Sequence, residues 1–188
     1  MPWNTIGFEK QKKYFTQAIK NSRLNHAYLF SGPAMIGKKT FTQELCQQIN
    51  GRAWGNDFDT KFVGTDAEKT TISIEDIREL KNSISRTVFQ GPYKLVVIDN
   101  AHQMTQEATN AFLKTLEEPT PKTLLFLITD QPKQLPETIR SRCHEIRFLP
   151  HDKSTVEEFL RNKKLNAADR DFLTLLADGR IGWTKTIL

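Results

Sequence analysis

Cysteine is scarce. The 188 residues hold two, Cys46 and Cys143, far apart and with no Cys-x-x-Cys partner. A disulfide framework or a zinc site is therefore not expected, and a reducing compartment fits. Long apolar runs are also missing. The longest, LVVI (95–98) and LLFLI (124–128), fall far short of the roughly 20 residues a membrane-crossing helix needs. No charged-then-apolar leader opens the chain, so the expected location is the cytoplasm, with no membrane partner. Internal repeats and low-complexity segments are absent. Neither sign of charge dominates enough to assign a partner. The net charge is +5, but Lys and Arg are scattered, with mild clusters at Lys10–Lys13 and Arg161–Lys164. Solvated faces explain both clusters, and direct DNA readout by this segment is not indicated.

What is present is a globular composition, 38% hydrophobic and 26% charged, on a length that allows one core plus a small appendage. Strand-like and helix-like segments alternate. The spacing predicts a helix over Glu9–Lys20, a strand over HAYLF (26–30) and a helix over Thr40–Ile49. A short strand follows at KFV (61–63). Ser73 is a plausible N-cap for a helix on which Ile77, Leu80, Ile84 and Val88 recur, broken at Gly91-Pro92. KLVVID (94–99) and TLLFLIT (123–129) read as buried parallel strands. Between them Thr105 caps a helix with Ala108, Phe112 and Leu116 on one face, ended by Pro119. A short helix at Pro136–Arg140 precedes a last strand, EIRF (145–148). The pattern implies an α/β fold with a mostly parallel sheet covered on both faces. After Pro150 the chain turns helical, with Val156, Phe159, Leu160, Phe172, Leu173, Leu175 and Leu176 as its apolar positions. The expected division is a core over 1–150 and a small helical unit over 151–188. The chain stops at Ile187-Leu188 without a polar tail, so a piece of a longer protein is expected.

SGPAMIGKKT (31–40) lies between a strand and a helix, where a phosphate-binding loop belongs. Gly32, Gly37 and Lys38 fit G-x-x-x-x-G-K-[ST]. Glycines let backbone N–H groups approach phosphate oxygens, the helix N-terminus favours negative charge, and Lys38 would reach the outer phosphates. The position after the lysine should carry the hydroxyl that ligates Mg²⁺. Here it is Lys39, and the hydroxyl comes one place late at Thr40, rotated by roughly 100° around the helix. An ammonium has only donors and repels a metal. Asp99, at the end of an apolar strand, could help hold Mg²⁺, but the next residue is Asn100, whose amide cannot take a proton from water. Loss of a general base costs roughly 10²–10⁴-fold. Binding of ATP or ADP, with Mg if bound, is the expectation; rapid hydrolysis is not.

Four stretches, IGFEKQKKYFTQAIKNSRLNHAYLFSGP (6–33), ISIEDIREL (72–80), VVIDNAHQMTQEATNAFLKTLEEP (96–119) and LPETIRSRC (135–143), together resemble the AAA+ subunits of bacterial clamp loaders. The likeness is strongest to the delta prime kind of DNA polymerase III. It is dense over about 5–150 and looser after. It implies an AAA+ P-loop domain with a five-stranded parallel sheet, then a small helical lid, with the family's C-terminal collar lacking a counterpart here. It also implies a stator in DNA replication, packed against the other subunits, gamma/tau and delta. Sliding clamp and primer-template DNA would be met through the assembly.

In that family the arginine of Ser141-Arg142-Cys143 projects toward ATP held by the neighbouring subunit, which makes Arg142 a candidate finger acting in trans. The stretch also allows a surface arginine paired with a carboxylate such as Glu137. Thr129 matches the position that senses the terminal phosphate. In ADGRIGWTK (177–185), Trp183 and Thr184 stand near where an active subunit offers an arginine, and Arg180 looks out of register to replace it. The stretch 49–66, where many relatives carry a zinc module, has no cysteine, so no zinc is carried over. His26 and His102 read as hydrogen-bonded structural groups. Two alternatives stand beside the stator: a hydrolysis-competent gamma-like ATPase, and a module that binds nucleotide without hydrolysing it.

Overall fold

The computed structural model describes residues 3–85 and 88–188. Its first helix, α1 (Glu9–Lys20), leads into β1 (Ala27–Ser31), the glycine loop and α2 (Lys38–Asn50). Then come β2 (Thr60–Val63), α3 (Ile74–Ile84), β3 (Lys94–Ile98), a 3₁₀ turn over Ala101–Gln103, and α4 (Gln106–Glu117). β4 (Thr123–Thr129), the short α5 (Glu137–Arg140) and β5 (His144–Arg147) complete the sheet. Three helices close the chain: α6 (Lys153–Arg161), α7 (Ala167–Ala177) and α8 (Ile181–Ile187). All five strands are parallel, in the order β2-β3-β4-β1-β5.

The three inner strands β1, β3 and β4 are buried along their whole length and mostly apolar, because both faces of the sheet are covered there, whereas the edge strands β2 and β5 are more polar and largely exposed. Alternate side chains sort to opposite faces with the period of two that a strand imposes. Ala27, Leu29, Val96, Ile98, Leu125 and Leu127 pack with Ile77, Leu80, Ala108 and Phe112 of α3 and α4. Tyr28, Phe30, Leu95, Val97, Leu124 and Phe126 pack with Phe15 of α1 and with Phe41, Leu45 and Ile49 of α2. This second face is an aromatic cluster in which Tyr28 stacks on Phe126 at 5.7 Å between ring centroids and Phe41 meets Phe148 edge-on at 5.1 Å.

Local capping agrees with the residues that foretold it. Ser73 and Asp76 form a reciprocal capping box at the start of α3, and Thr105 Oγ1 accepts the Ala108 N–H at α4. The end of α3 differs from expectation. The helix stops at Ile84, Val88 lies beyond it, and Arg86 and Thr87 fall outside the described residues. Beyond it, the buried Asp59 carboxylate accepts the N–H groups of Phe89, Gln90 and Gly91 at 2.6–2.7 Å, so these groups bond outside any helix. Those bonds keep the Asp59 carboxyl below its ordinary value although burial pushes the other way.

In the C-terminal helices, Val156, Leu160, Leu173, Ala177 and Ile181 form a cluster of their own, with Ile6 against it. Phe172, Leu175 and Leu176 are exposed, because a helix turning every 3.6 residues cannot aim all of FLTLLA at α6. No helix among the described residues is long and apolar enough to cross a membrane.

Candidate functional site

A parallel sheet places every strand's C-terminal end on one edge, so the loops after β1, β3 and β4 converge there. The register sets Ser31, where the glycine loop begins, level with Thr129 at the end of β4. A cleft of about 380 Å³ opens at this edge, lined by Gly37, Lys38, Lys39, Thr40, Asp99 and Thr129. Of Gly32, Gly37, Lys38, Lys39, Thr40, Asp99 and Thr129, the seven positions of the expected nucleotide site, all but Gly32 therefore meet in one place. The seventh, Gly32, sits behind the loop. Its φ is +149°, and a Cβ there would stand 3.0 Å from the Phe148 carbonyl carbon and closer still to its oxygen, so only glycine lets the loop lie on the sheet.

Gly37 (φ +110°) is the N-cap of α2, which starts at Lys38, two residues earlier than the spacing suggested. The Lys38 ammonium spans the loop, donating to the carbonyls of Gly32 and Pro33 at 2.7 Å each. A third N–H remains for the cleft. Burial lowers the Lys38 pKa from 10.5 to about 8, against the pull of the Asp130 and Asp99 carboxylates. Lys39 points the other way. Its Nζ lies 3.1 Å from Asp99 Oδ2 and 4.6 Å from the centre of the Phe62 ring. Thr40 is exposed between this cleft and its neighbour.

Asn100, at φ +54°, donates its side-chain amide to Thr65 Oγ1 at 2.8 Å. Thr129 is fully buried. Its Oγ1 accepts the Gln131 N–H and lies 3.0 Å from His102 Nδ1. His102 is thus a hydrogen-bonded structural group, as expected. His26 is exposed, and its backbone carbonyl, accepting the Leu125 N–H, takes part instead. Asp130 Oδ1 is buried with no hydrogen-bond partner among the described residues, 3.6 Å from His102 Nε2.

A second cleft, about 440 Å³, adjoins the first and shares Gly37, Thr40 and Gly182 with it. Its walls come from Asn4–Ile6, the end of the glycine loop with α2, and α8, together with Trp54 and His151. Glu44 on α2 ties down the first, accepting the Asn4 and Thr5 N–H groups and the Thr5 hydroxyl. Nothing in the one-dimensional pattern marked Glu44, since its partners lie 39 and 40 residues earlier in the chain.

The lid-side contact also falls elsewhere than expected. Gly182 faces the loop, donating its N–H to Met35 O at 2.6 Å. Trp183 packs within the lid cluster, and buried Thr184 bonds Ile181 O. Arg180 caps α7, giving Nε–H to Ala177 O and reaching Leu176 O, away from the cleft.

Arg142 stands apart from both clefts. Its guanidinium pairs with Glu117 Oε1 at 2.8 Å and donates to Thr138 O at 2.9 Å. The carboxylate partner is Glu117 at the end of α4, not Glu137. Burial pushes the neighbouring Cys143 thiol up to about 12, which leaves it unreactive.

A family model described as DNA polymerase III, delta subunit, matches residues 7–152. The chain belongs to this DNA polymerase III family. A delta′ subunit from Bacillus subtilis is 35% identical over 79% of the chain, and a tau/gamma subunit from Haemophilus influenzae 31% identical over 84%. The chain spans about half the length of the first relative and a quarter of the second. Among solved structures, a DNA polymerase III gamma-subunit-related protein from Thermotoga maritima superposes with a TM-score of 0.69 at 22% identity, over 90% of this chain and 56% of that one. The fold is thus the AAA+ α/β fold, and the DNA polymerase III relatives are clamp-loader subunits.

Proposed function

We propose that the chain is the AAA+ portion of a delta-prime-like clamp-loader subunit, with a core over 1–150 and a lid over 151–188. In this reading it holds ATP or ADP in the paired clefts, does not hydrolyse it at a useful rate, and presents Arg142 to nucleotide on a neighbouring subunit. Its partners are the gamma/tau and delta subunits and, through the assembly, the sliding clamp and primer-template DNA in the cytoplasm. The observation that carries the reading is a pair of departures from the full motif that flank Asp99, Lys39 in the first turn of α2 and Asn100 just after β3. Lys39 occupies Asp99, and the Asn100 amide is spent on Thr65. A group that should ligate metal and a group that should accept a proton both serve as structural ties.

The ion pair with Glu117 and the bond to Thr138 O hold Arg142 at the surface, its side chain 37% exposed. An exposed pair of this kind is worth about 0–1 kcal/mol, whereas an arginine acting on a transferring phosphoryl group is worth roughly 10³–10⁵ in rate. Arg142→Ala therefore separates the roles. The chain should keep its melting temperature, while DNA-stimulated ATPase of an assembly rebuilt with the full-length subunit should fall by about 10³-fold or more. Unchanged assembly ATPase removes the trans role. The similarity to tau/gamma subunits favours a second reading, a competent ATPase. It requires steady phosphate release by the chain, lost on Lys38→Ala.

A further inference from the structure

The glycine loop implies Mg²⁺, and the residues at Asp99 do not fit it. Mg²⁺ wants oxygen ligands in near-octahedral array, usually a hydroxyl or carboxylates together with phosphate oxygens and water. Here each Asp99 oxygen already has a partner. Oδ1 accepts the Asn100 N–H at 3.1 Å, and Oδ2 faces the Lys39 ammonium at 3.1 Å. That ammonium is seated from a second side by the Phe62 ring, whose face attracts a cation. The ring is itself placed by packing. Trp54 meets it edge-on at 5.9 Å, and Gly64 leaves space where a Cβ would stand 2.9 Å from the ring and 3.2 Å from the Asp99 Cβ. The other carboxylate of the cleft, Asp130, lies on the Lys38 and His102 side.

We infer that Lys39 is a built-in substitute for the divalent cation, so that this cleft takes a nucleoside di- or triphosphate free of metal. The inference rests on the nucleotide reading above and deepens it. A phosphate chain arriving at the loop meets Lys38 and the N-terminal amides of the 13-residue α2, and Lys39 lines the same cleft, anchored on Asp99. Two lysines carry two of the three positive charges that one lysine and a divalent metal ion bring in the full motif. A metal entering beside Asp99 would have to displace a like-charged group from its own counter-ion.

The test is direct binding of ADP and ATP to the purified chain, by calorimetry and by anisotropy of a fluorescent ADP. Each is done with excess Mg²⁺ and again with EDTA. The expected result is wild-type affinity that differs by less than about threefold between the two buffers, with Lys39→Thr binding at least about tenfold more tightly in Mg²⁺ than in EDTA. Lys39→Gln, which keeps the length and removes the charge, should lose affinity in EDTA. It serves as a check should the threonine variant fold poorly. A wild-type loss of about tenfold or more in EDTA overturns the inference and leaves the nucleotide reading standing. No binding in either buffer, with wild type indistinguishable from Lys38→Ala, overturns both.

Discussion

Gly182→Ala isolates the contact between lid and loop. Gly182 is the second residue of α8, so its N–H has no partner within the helix and goes instead to Met35 O at 2.6 Å. Its φ is not positive, and alanine would suffer no backbone strain there. The obstacle is purely the loop. A Cβ would lie 3.0 Å from the Met35 carbonyl carbon and nearer to the oxygen, and backbone cannot rotate away as a side-chain tip can. Losing the hydrogen bond costs about 1 kcal/mol and forcing the surfaces apart about 1–3 kcal/mol, offset by up to about 1 kcal/mol from the better helix former. The net is about 2 kcal/mol against the docked lid.

Two ties remain at this junction: the His151 N–H to Gly179 O at 3.0 Å, and the ring Nε2 to Ile36 O at 2.9 Å. The lid should therefore open more often without unfolding the sheet. Amide hydrogen exchange reads this residue by residue. Protection at position 182 and along α8 should fall by about 30-fold, while β3 and β4 keep theirs. Unchanged protection at position 182 would show that the lid does not bear on the loop. An equal loss across the sheet would show that lid and core open as one unit.

The Lys38 charge sets a pH dependence. Its folded pKa of about 8 lies below the ordinary 10.5, so the ammonium is present below about 8 and lost above it; phosphate binding should weaken as pH rises through 8 and take up protons there, visible as buffer-dependent heats in calorimetry. For stability the sign is opposite: the unfolded chain binds the extra proton between about 8 and 10.5, so this group makes folding more favourable as pH rises through that window. Phe41→Ala should destabilise the chain by about 3–5 kcal/mol in urea titrations, because Phe41 is fully buried and touches the rings of Trp3, Phe8, Phe15, Phe30 and Phe148. A loss under about 1 kcal/mol would mean the aromatic cluster closes over the gap.

The sheet was legible because parallel strands buried on both faces leave continuous apolar runs, and LVVI and LLFLI are such runs. The phosphate loop was legible because glycine, lysine and a following helix must be adjacent in sequence to act together. The Ser73 and Thr105 caps announced themselves for the same reason: their bonds are local. What failed was set by distant partners. Val88 lies outside α3, and the N–H groups of the three residues after it go to Asp59, about 30 residues earlier in the chain. Arg142 chose Glu117 over the nearer Glu137 because α4 ends beside the turn. The position facing the loop is Gly182, which has no side chain to mark it, whereas the side chains beside it, Trp183 and Thr184, turn into the C-terminal helices.

The groups that would run an ATPase are here engaged in holding loops to one another, and this makes a strong prediction about repair. Lys39 joins α2 to β3, Asn100 joins β3 to the segment after β2, and His102 joins the turn after β3 to Thr129 of β4. Asn100→Glu would restore a carboxylate where a general base belongs, nominally a gain of roughly 10²–10⁴-fold. It should nevertheless give no measurable phosphate release. The substitution loses the Thr65 bond, about 1 kcal/mol, and places a glutamate at φ +54°, a conformation that asparagine tolerates and longer side chains resist by about 1–2 kcal/mol. Above all it leaves Lys39 on Asp99, so no metal ligand has been restored. Only with Lys39→Thr added should turnover rise, and the two changes together should exceed the sum of their separate effects, as residues that act as a unit do. Turnover by Asn100→Glu alone would mean the ammonium on Asp99 is no obstacle, and the account of this cleft as a set of structural ties would have to be given up.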